Sequence, residues 1–398
     1  MNLNAFYKQL EKIVSSATSP RVIDSGQGPY LTIDGVKRLN FCSSHYLGLT
    51  EDKRIRRATI EAVKKYGIGT GYRTLAGTHA IHLELEKAIA KFKKTDGAVV
   101  FSSAYLANCS AIQTILGKED IVISDELNHA SIIDAIRLSQ VSNKFIYKHG
   151  DVKDLEVKLK QAVKIAKKPR SDGGMPVILI VTDGVFSMDG DLAPLPQIVR
   201  LARKYKTLMM VDDAHGEGVL GKGGRGIVDH FGLAGQIDIE VGSLSKAFSS
   251  MGGYIAGRKT LIDYFKLRAR PRLFSIALSI PDTAASLEAI KILLHSDAPV
   301  RKLWRNVEYL RTEFKKLGFD IGNSQSPITP VMLGDEKLAS EFSARLFKNN
   351  VFATPIVFPM VQKGKARIRV IPSASHSKQD LDLGLKAFAG VAKELKVL

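Results

Sequence analysis

Short apolar runs alternate with longer amphipathic stretches from about residue 51 onward. The runs fall at 98–102, 120–124, 144–147, 176–182, 207–212, 237–242 and 253–256. Most are rich in branched residues and nearly unbroken, which predicts strands buried on both faces. Between them, 105–116, 130–140, 151–168 and 194–205 repeat apolar residues every three or four positions and predict helices. Such alternation predicts an α/β fold on a mostly parallel seven-stranded sheet covered on both sides. Ligands of such sheets bind beyond the carboxyl ends of the strands.

The flanks follow other patterns. Residues 2–17 predict an amphipathic helix. Residues 29–40 predict a hairpin around Asp34-Gly35. A helical region covers 282–318, followed by strand 328–333, helix 335–349, strand 366–371 and helix 377–395. The expected division is an N-terminal segment 1–50, a large domain 51–285 and a small α/β domain 286–398, with the first segment packed on the last.

Composition supports this layout, since 398 residues at 45% hydrophobic content supply two cores. No apolar run approaches the eighteen or so residues of a membrane helix, and Met1 to Ser19 holds no apolar signal core. A soluble, cytoplasmic protein is expected. Cys42 and Cys109 form no metal or redox spacing, which suits a reducing compartment and gives no reason to expect a metal. The net charge of +18, from 58 basic and 40 acidic residues, draws anionic partners such as the polyphosphate of coenzyme A. The lysines are dispersed in helices (Lys158, Lys160, Lys164) and not interleaved with aromatics, so nucleic acid is not expected.

The candidate chemistry lies at the strand ends. Lys246 follows the run at 237–241 and precedes Gly252-Gly253; Asp212-Asp213-Ala214-His215 follows 207–211. Singly, a strand-end acid caps a turn and a lysine lies in solvent. Together they supply what pyridoxal phosphate needs, an amine for a Schiff base and an acid for the pyridinium nitrogen. Asp213 takes the capping role. Ser243 and Ser245 with their turn amides suit a phosphate. So does the helix start at Ala104-Tyr105, with its free N–H groups. His129 opens another helix and is placed to stack on a ring. Ser187 lies in a third strand-end turn, Thr182 to Asp191, whose acids match no metal spacing.

These motifs form an ordered set over nearly the whole chain: Leu39 to Leu49, Asp125 to Ser131, Phe186 to Leu192, Val211 to Gly216, Gly223 to Gly226, Ser245-Lys246 and Lys365 to Arg369. The set resembles the α-oxoamine synthases, fold-type I pyridoxal phosphate enzymes that join an amino acid to an acyl-CoA with loss of carbon dioxide. The resemblance implies that Lys246 forms the Schiff base and carries protons, and that Asp212 pairs the ring nitrogen. It implies that His215 and Ser187 contact the ring oxygen and that His129 stacks on the ring. The Ala104-Tyr105 backbone and Ser243 would bind phosphate, with Ser275 supplied by the second subunit of a homodimer with shared sites. Arg369 would grip the substrate carboxylate, and Arg367 is expected on the other face of its strand.

Some positions depart from the family pattern. Ser44 stands where an asparagine near the substrate is common, and His45 where aspartate or asparagine follows. Ser243 replaces a threonine, Ala104 a glycine, and Gly67 to Arg73 is shorter. The expected pairs are alanine with pimeloyl-CoA, a step of biotin biosynthesis, or glycine with acetyl-CoA. Serine with a long-chain acyl-CoA is the alternative. Another fold-type I activity, aldolase-like or aminotransferase, is a second reading. A non-catalytic basic scaffold is a third, and intact Lys246, Asp212 and Arg369 argue against it.

Overall fold

The computed structural model describes residues 3–16 and 20–398. The first helix runs Leu3–Ser16; residues 2 and 17 of its expected span lie outside the described residues. Among the described residues thirteen strands follow in chain order: β1 (Tyr30–Ile33), β2 (Val36–Asn40), β3 (Gly97–Phe101), β4 (Ile121–Asp125), β5 (Asn143–Tyr147), β6 (Ile178–Asp183), β7 (Leu208–Asp212), β8 (Ile239–Ser243), β9 (Gly253–Gly257), β10 (Thr329–Gly334), β11 (Val351–Phe352), β12 (Thr354–Ile356) and β13 (Ala366–Val370).

Strands β3 to β9 form one seven-stranded sheet in the order β3-β9-β8-β7-β6-β4-β5. Neighbours from β8 through β5 are parallel, and β9 runs antiparallel between β3 and β8. Every residue of β4 and β6 is buried. Their apolar runs are continuous because helices cover both faces. Alternate residues feed two cores: Ile121, Ile123, Ile180 and Val211 on one face, Val122, Leu179, Val181 and Met210 on the other. The parallel strands bring Asp125, Asp183, Asp212 and Ser243 to one edge, with Asp183 and Asp212 directly paired in register.

The hairpin turns through Asp34 and Gly35, both at positive φ (53° and 70°), as a two-residue turn that follows the strand twist requires. β2 then pairs with β11, so the N-terminal segment shares a three-stranded sheet with the C-terminal region. β10-β13-β12 forms the third sheet. Its core is a cluster of Phe314, Phe319, Phe342 and Phe388 linked by ring contacts, joined by Leu39 and Phe41.

The buried apolar residues of helix Ile280–His295 belong to the large core. The cores change hands inside helix Ala298–Lys316: Leu303 and Val307 face the large one, Leu310 and Phe314 the small one. That handover lies past residue 285. β11 and β12, at two and three residues, are too short to leave a period in the sequence. Among the described residues no helix is long and apolar enough to cross a membrane.

Candidate active site

Loops leaving β4, β6, β7 and β8 converge with the start of helix Ala104–Ile115 on one pocket. Ala104, Tyr105, His129, Ser187, Asp212, His215 and Lys246 all line it. The remaining expected residues stand apart. Ser243 lies three residues before Lys246, its hydroxyl 2.7 Å from that of Ser245. Ser44 uses its carbonyl to accept from Tyr46 N at 2.8 Å. Ser275 donates to Pro271 O at 2.5 Å within its own segment. Arg369 donates to Ser187 O at 3.1 Å, at the pocket rim.

The expectation for Arg367 needs correcting. A strand repeats every two residues, so Arg367 and Arg369 share a face. Both reach the same turn: Arg367 pairs with Asp189 and donates to Met188 O at 3.4 Å. Burial and hydrogen bonds to Lys365 O make it a fixed post, while Arg369 stays partly open.

Several groups escaped the sequence reading. Asn108 Nδ2 donates to Asp212 Oδ2 at 2.6 Å and to Ser131 Oγ at 2.9 Å. Ala214 N holds the other Asp212 oxygen at 2.9 Å. Asn108 sits one helical turn after Ala104, so 3.6 periodicity could have placed it toward the same ligand. The Tyr46 hydroxyl lies 2.7 Å from His215 Nδ1. Its partner is 169 residues away, and no local signal announces it. Asp183 accepts from His129 N at 3.0 Å.

The electrostatics follow from burial. It pushes Lys246 down, against the pull of Asp212, Glu217 and Asp183, and Arg369 adds to the depression. Burial also lowers His129, and Lys246 lowers it further against Asp212. His215 falls well below the usual imidazole range, through burial and then the Lys246 and Arg369 charges, so it is neutral. Asp183 is raised well above the carboxylate range by burial and by Asp212 beside it.

Three features of the pocket fit pyridoxal phosphate. Ser103 caps the helix through Leu106 N, and the preceding amides of Ala104 and Tyr105 have no intrahelical acceptor. A Cβ on Gly253 would come within 2.4 Å of Ala104 N, so only glycine lets β9 support that helix start. Asn108 Oδ1 and Asp183 Oδ1 are buried beside the pocket without a hydrogen-bond partner. An anion cradle, an anchored acid and a depressed lysine together match the cofactor's phosphate, ring nitrogen and aldehyde.

Known proteins agree with this fit. The aminotransferase class I and II family model matches residues 36–388. An 8-amino-7-oxononanoate synthase of Thermosipho melanesiensis is 54% identical over 99% of this chain and 98% of its own. One of Fervidobacterium nodosum is 55% identical over 95% and 94%. A serine palmitoyltransferase of S. paucimobilis, solved with PLP and myriocin, superposes with a TM-score of 0.89 at 30% identity over 99% and 98% of the two chains. The cofactor of this chain is pyridoxal 5'-phosphate. The chain therefore belongs to the aminotransferase class I and II family, in its α-oxoamine synthase branch, and is a pyridoxal-phosphate-dependent acyltransferase of fold type I.

Proposed function

We propose that the chain condenses alanine with a pimeloyl thioester, releasing carbon dioxide and the free thiol, as its synthase relatives' name implies. The observation that carries the reading is Ser187, which lines two spaces at once. One is the pocket holding Lys246 and Asp212; the other is a cleft running between the sheet edge and the small domain. Leu127, Phe186, Met188, Met332 and Met360 give that cleft apolar walls, and Lys365 lies along it. Methionine walls suit a methylene chain, and the ammonium suits the distal carboxylate of a dicarboxylic acyl group.

Bound pyridoxal phosphate supplies the electron sink for the carbanion formed at the amino acid's α-carbon. Lys246 is the covalent anchor; its depressed ammonium makes Nζ a base able to take the α-proton. Asp212, oriented by Asn108 and Ala214, holds a proton on the pyridine nitrogen. Were Tyr46 to donate to Nδ1, neutral His215 would keep its proton on Nε2 for the ring oxygen, beside Ser187. His129, in the pocket lining, would cover the ring face. The Ala104 and Tyr105 amides with Ser243 hold phosphate. Arg369 keeps guanidinium N–H groups free of Ser187 O for the amino acid's carboxylate.

Ser275 enters this reading through a second copy of the chain. Segments 68–77 and 271–280 are tied by Ala277 N to Gly71 O (3.1 Å) and Thr70 Oγ1 to Ala277 O (2.8 Å). Together they expose Ile68, Leu75, Phe274 and Ile276. Exposed apolar residues gathered on two tied segments mark an interface, and a homodimer would cover them. The two unpaired cysteines suit the cytoplasm.

The test is thiol release and product mass from the cofactor-loaded protein with alanine and pimeloyl-CoA, against glycine with acetyl-CoA and serine with palmitoyl-CoA. The first pair should dominate. Preference for serine and palmitoyl-CoA overturns the reading.

A further inference from the structure

His149, just past β5, lines the outer cleft with Asp191 and makes no expected cofactor contact, yet it joins two walls of the site. Its Nδ1 lies 3.1 Å from Asp125 Oδ1 and its Nε2 2.9 Å from Asp191 Oδ2. A carboxylate on each nitrogen leaves both as donors, so the ring holds two protons. Burial lowers its pKa, but the hydrogen bonds to Asp125 and Asp191 outweigh that and raise it to about 10. The ring packs edge-on against Phe186, centroids 4.3 Å apart.

Each carboxylate belongs to a different wall. Asp125 Oδ1 also accepts from Leu127 N at 2.9 Å and Asp125 Oδ2 from Gly150 N at 3.0 Å, shaping the loop that ends in His129. The His149 N–H donates to Glu126 Oε1 at 2.9 Å in the same loop. Asp191 closes the Phe186–Asp191 turn, where Phe186 N donates to Asp191 O at 3.0 Å. That turn carries Ser187, whose carbonyl holds Arg369, and Asp189, which pairs with Arg367. On its far side, Gly190 O accepts from Gln325 N and Ser326 N of the small domain, each at 3.0 Å.

We propose that His149 is a positioning residue that sets the spacing between the His129 wall and the Ser187–Arg369 wall, and so the fit of the amino-acid substrate. The inference rests on the pocket being the amino-acid site. Losing the pin leaves cofactor, lysine and Asp212 in place but frees the carboxylate clamp relative to His129. The effect should therefore fall on amino-acid affinity rather than on turnover.

The test compares His149→Gln, which keeps polarity but not charge, with Asp191→Asn, which unpins one wall only. His149→Gln should raise the KM for alanine about tenfold, the scale of coupling through packed networks, with kcat changed less than about threefold. In the cofactor-free chain, hydrogen exchange should quicken at 126–129 and 186–191 in His149→Gln, but at 186–191 alone in Asp191→Asn. The double variant should be no worse than His149→Gln, since both remove one link. A wild-type KM in both folded variants overturns the inference, as do additive effects or unchanged exchange. Should His149→Gln fail to fold, Asp191→Asn alone decides by the same two readouts. An inactive wild-type protein with alanine would instead sink the functional reading, and the exchange measurement would still stand.

Discussion

Asn108 Nδ2 donates to Asp212 Oδ2 across 2.6 Å, linking the helix that opens at Ala104 to the end of β7. In the proposed reading, helix Ala104–Ile115 thereby offers its first amides to the phosphate and aims Asp212 at the ring nitrogen. Asn108→Leu keeps the volume and removes the donor, leaving Ala214 N on the other oxygen. Hydrogen bonds to charged groups are worth about 1.5–3 kcal/mol. Cofactor dissociation, followed by absorbance titration, should weaken roughly tenfold or more, with the fold intact by circular dichroism. Unchanged binding and α-proton exchange would mean that Asp212 needs no such guide.

Lys246→Ala removes the only lysine lining the pocket among the described residues. The variant should fold and bind pyridoxal phosphate reversibly. After borohydride treatment its intact mass should carry no cofactor, while the wild-type chain gains one. Stoichiometric labelling of the variant would place the anchor on another lysine.

Arg369→Leu and Arg367→Leu should separate. Arg369 is partly open, with one contact to Ser187 O, and its loss should cost about 2–4 kcal/mol of alanine affinity with cofactor binding unchanged. Arg367 is buried and bound to Asp189 and Lys365 O. Its loss should lower stability by about 1–3 kcal/mol in denaturant melts. Equal alanine affinity in the Arg369 variant and the wild type would move the carboxylate site elsewhere.

Glu217 sets a pH dependence. Burial raises its pKa to about 8, Asp213 adds to the rise, and Lys93 opposes it. Its carboxyl accepts from Ser243 N and pairs with the Tyr254 hydroxyl. A folded pKa above the unfolded one means that its stabilising share is complete below the ordinary glutamate value of 4.5 and is lost as pH rises through about 8. Glu217→Gln cannot ionise, so its melting temperature should gain on the wild type between pH 5 and 8.5. A constant difference across that range would show that Glu217 does not titrate there.

Local periodicity was enough to place the seven strands of the main sheet within a residue or two. All but the edge strand β5 are apolar runs whose pattern is decided by helical cover. Lys246, Asp212, His215 and His129 were legible for a related reason. They follow strands, and parallel strands bring their carboxyl ends to one edge. β11 and β12 were not legible, because two or three residues hold no period and form only against β2 and β13. The shared face of Arg367 and Arg369 follows from strand geometry, but their different fates depend on what the Ser187–Asp189 turn presents to each. Asn108 to Asp212, Tyr46 to His215 and His149 to Asp191 span 104, 169 and 42 residues. A hydrogen bond acts over about 3 Å whatever the chain length between its ends. The sequence therefore determined which groups stand at the strand ends, and only the packed fold decided which of them touch.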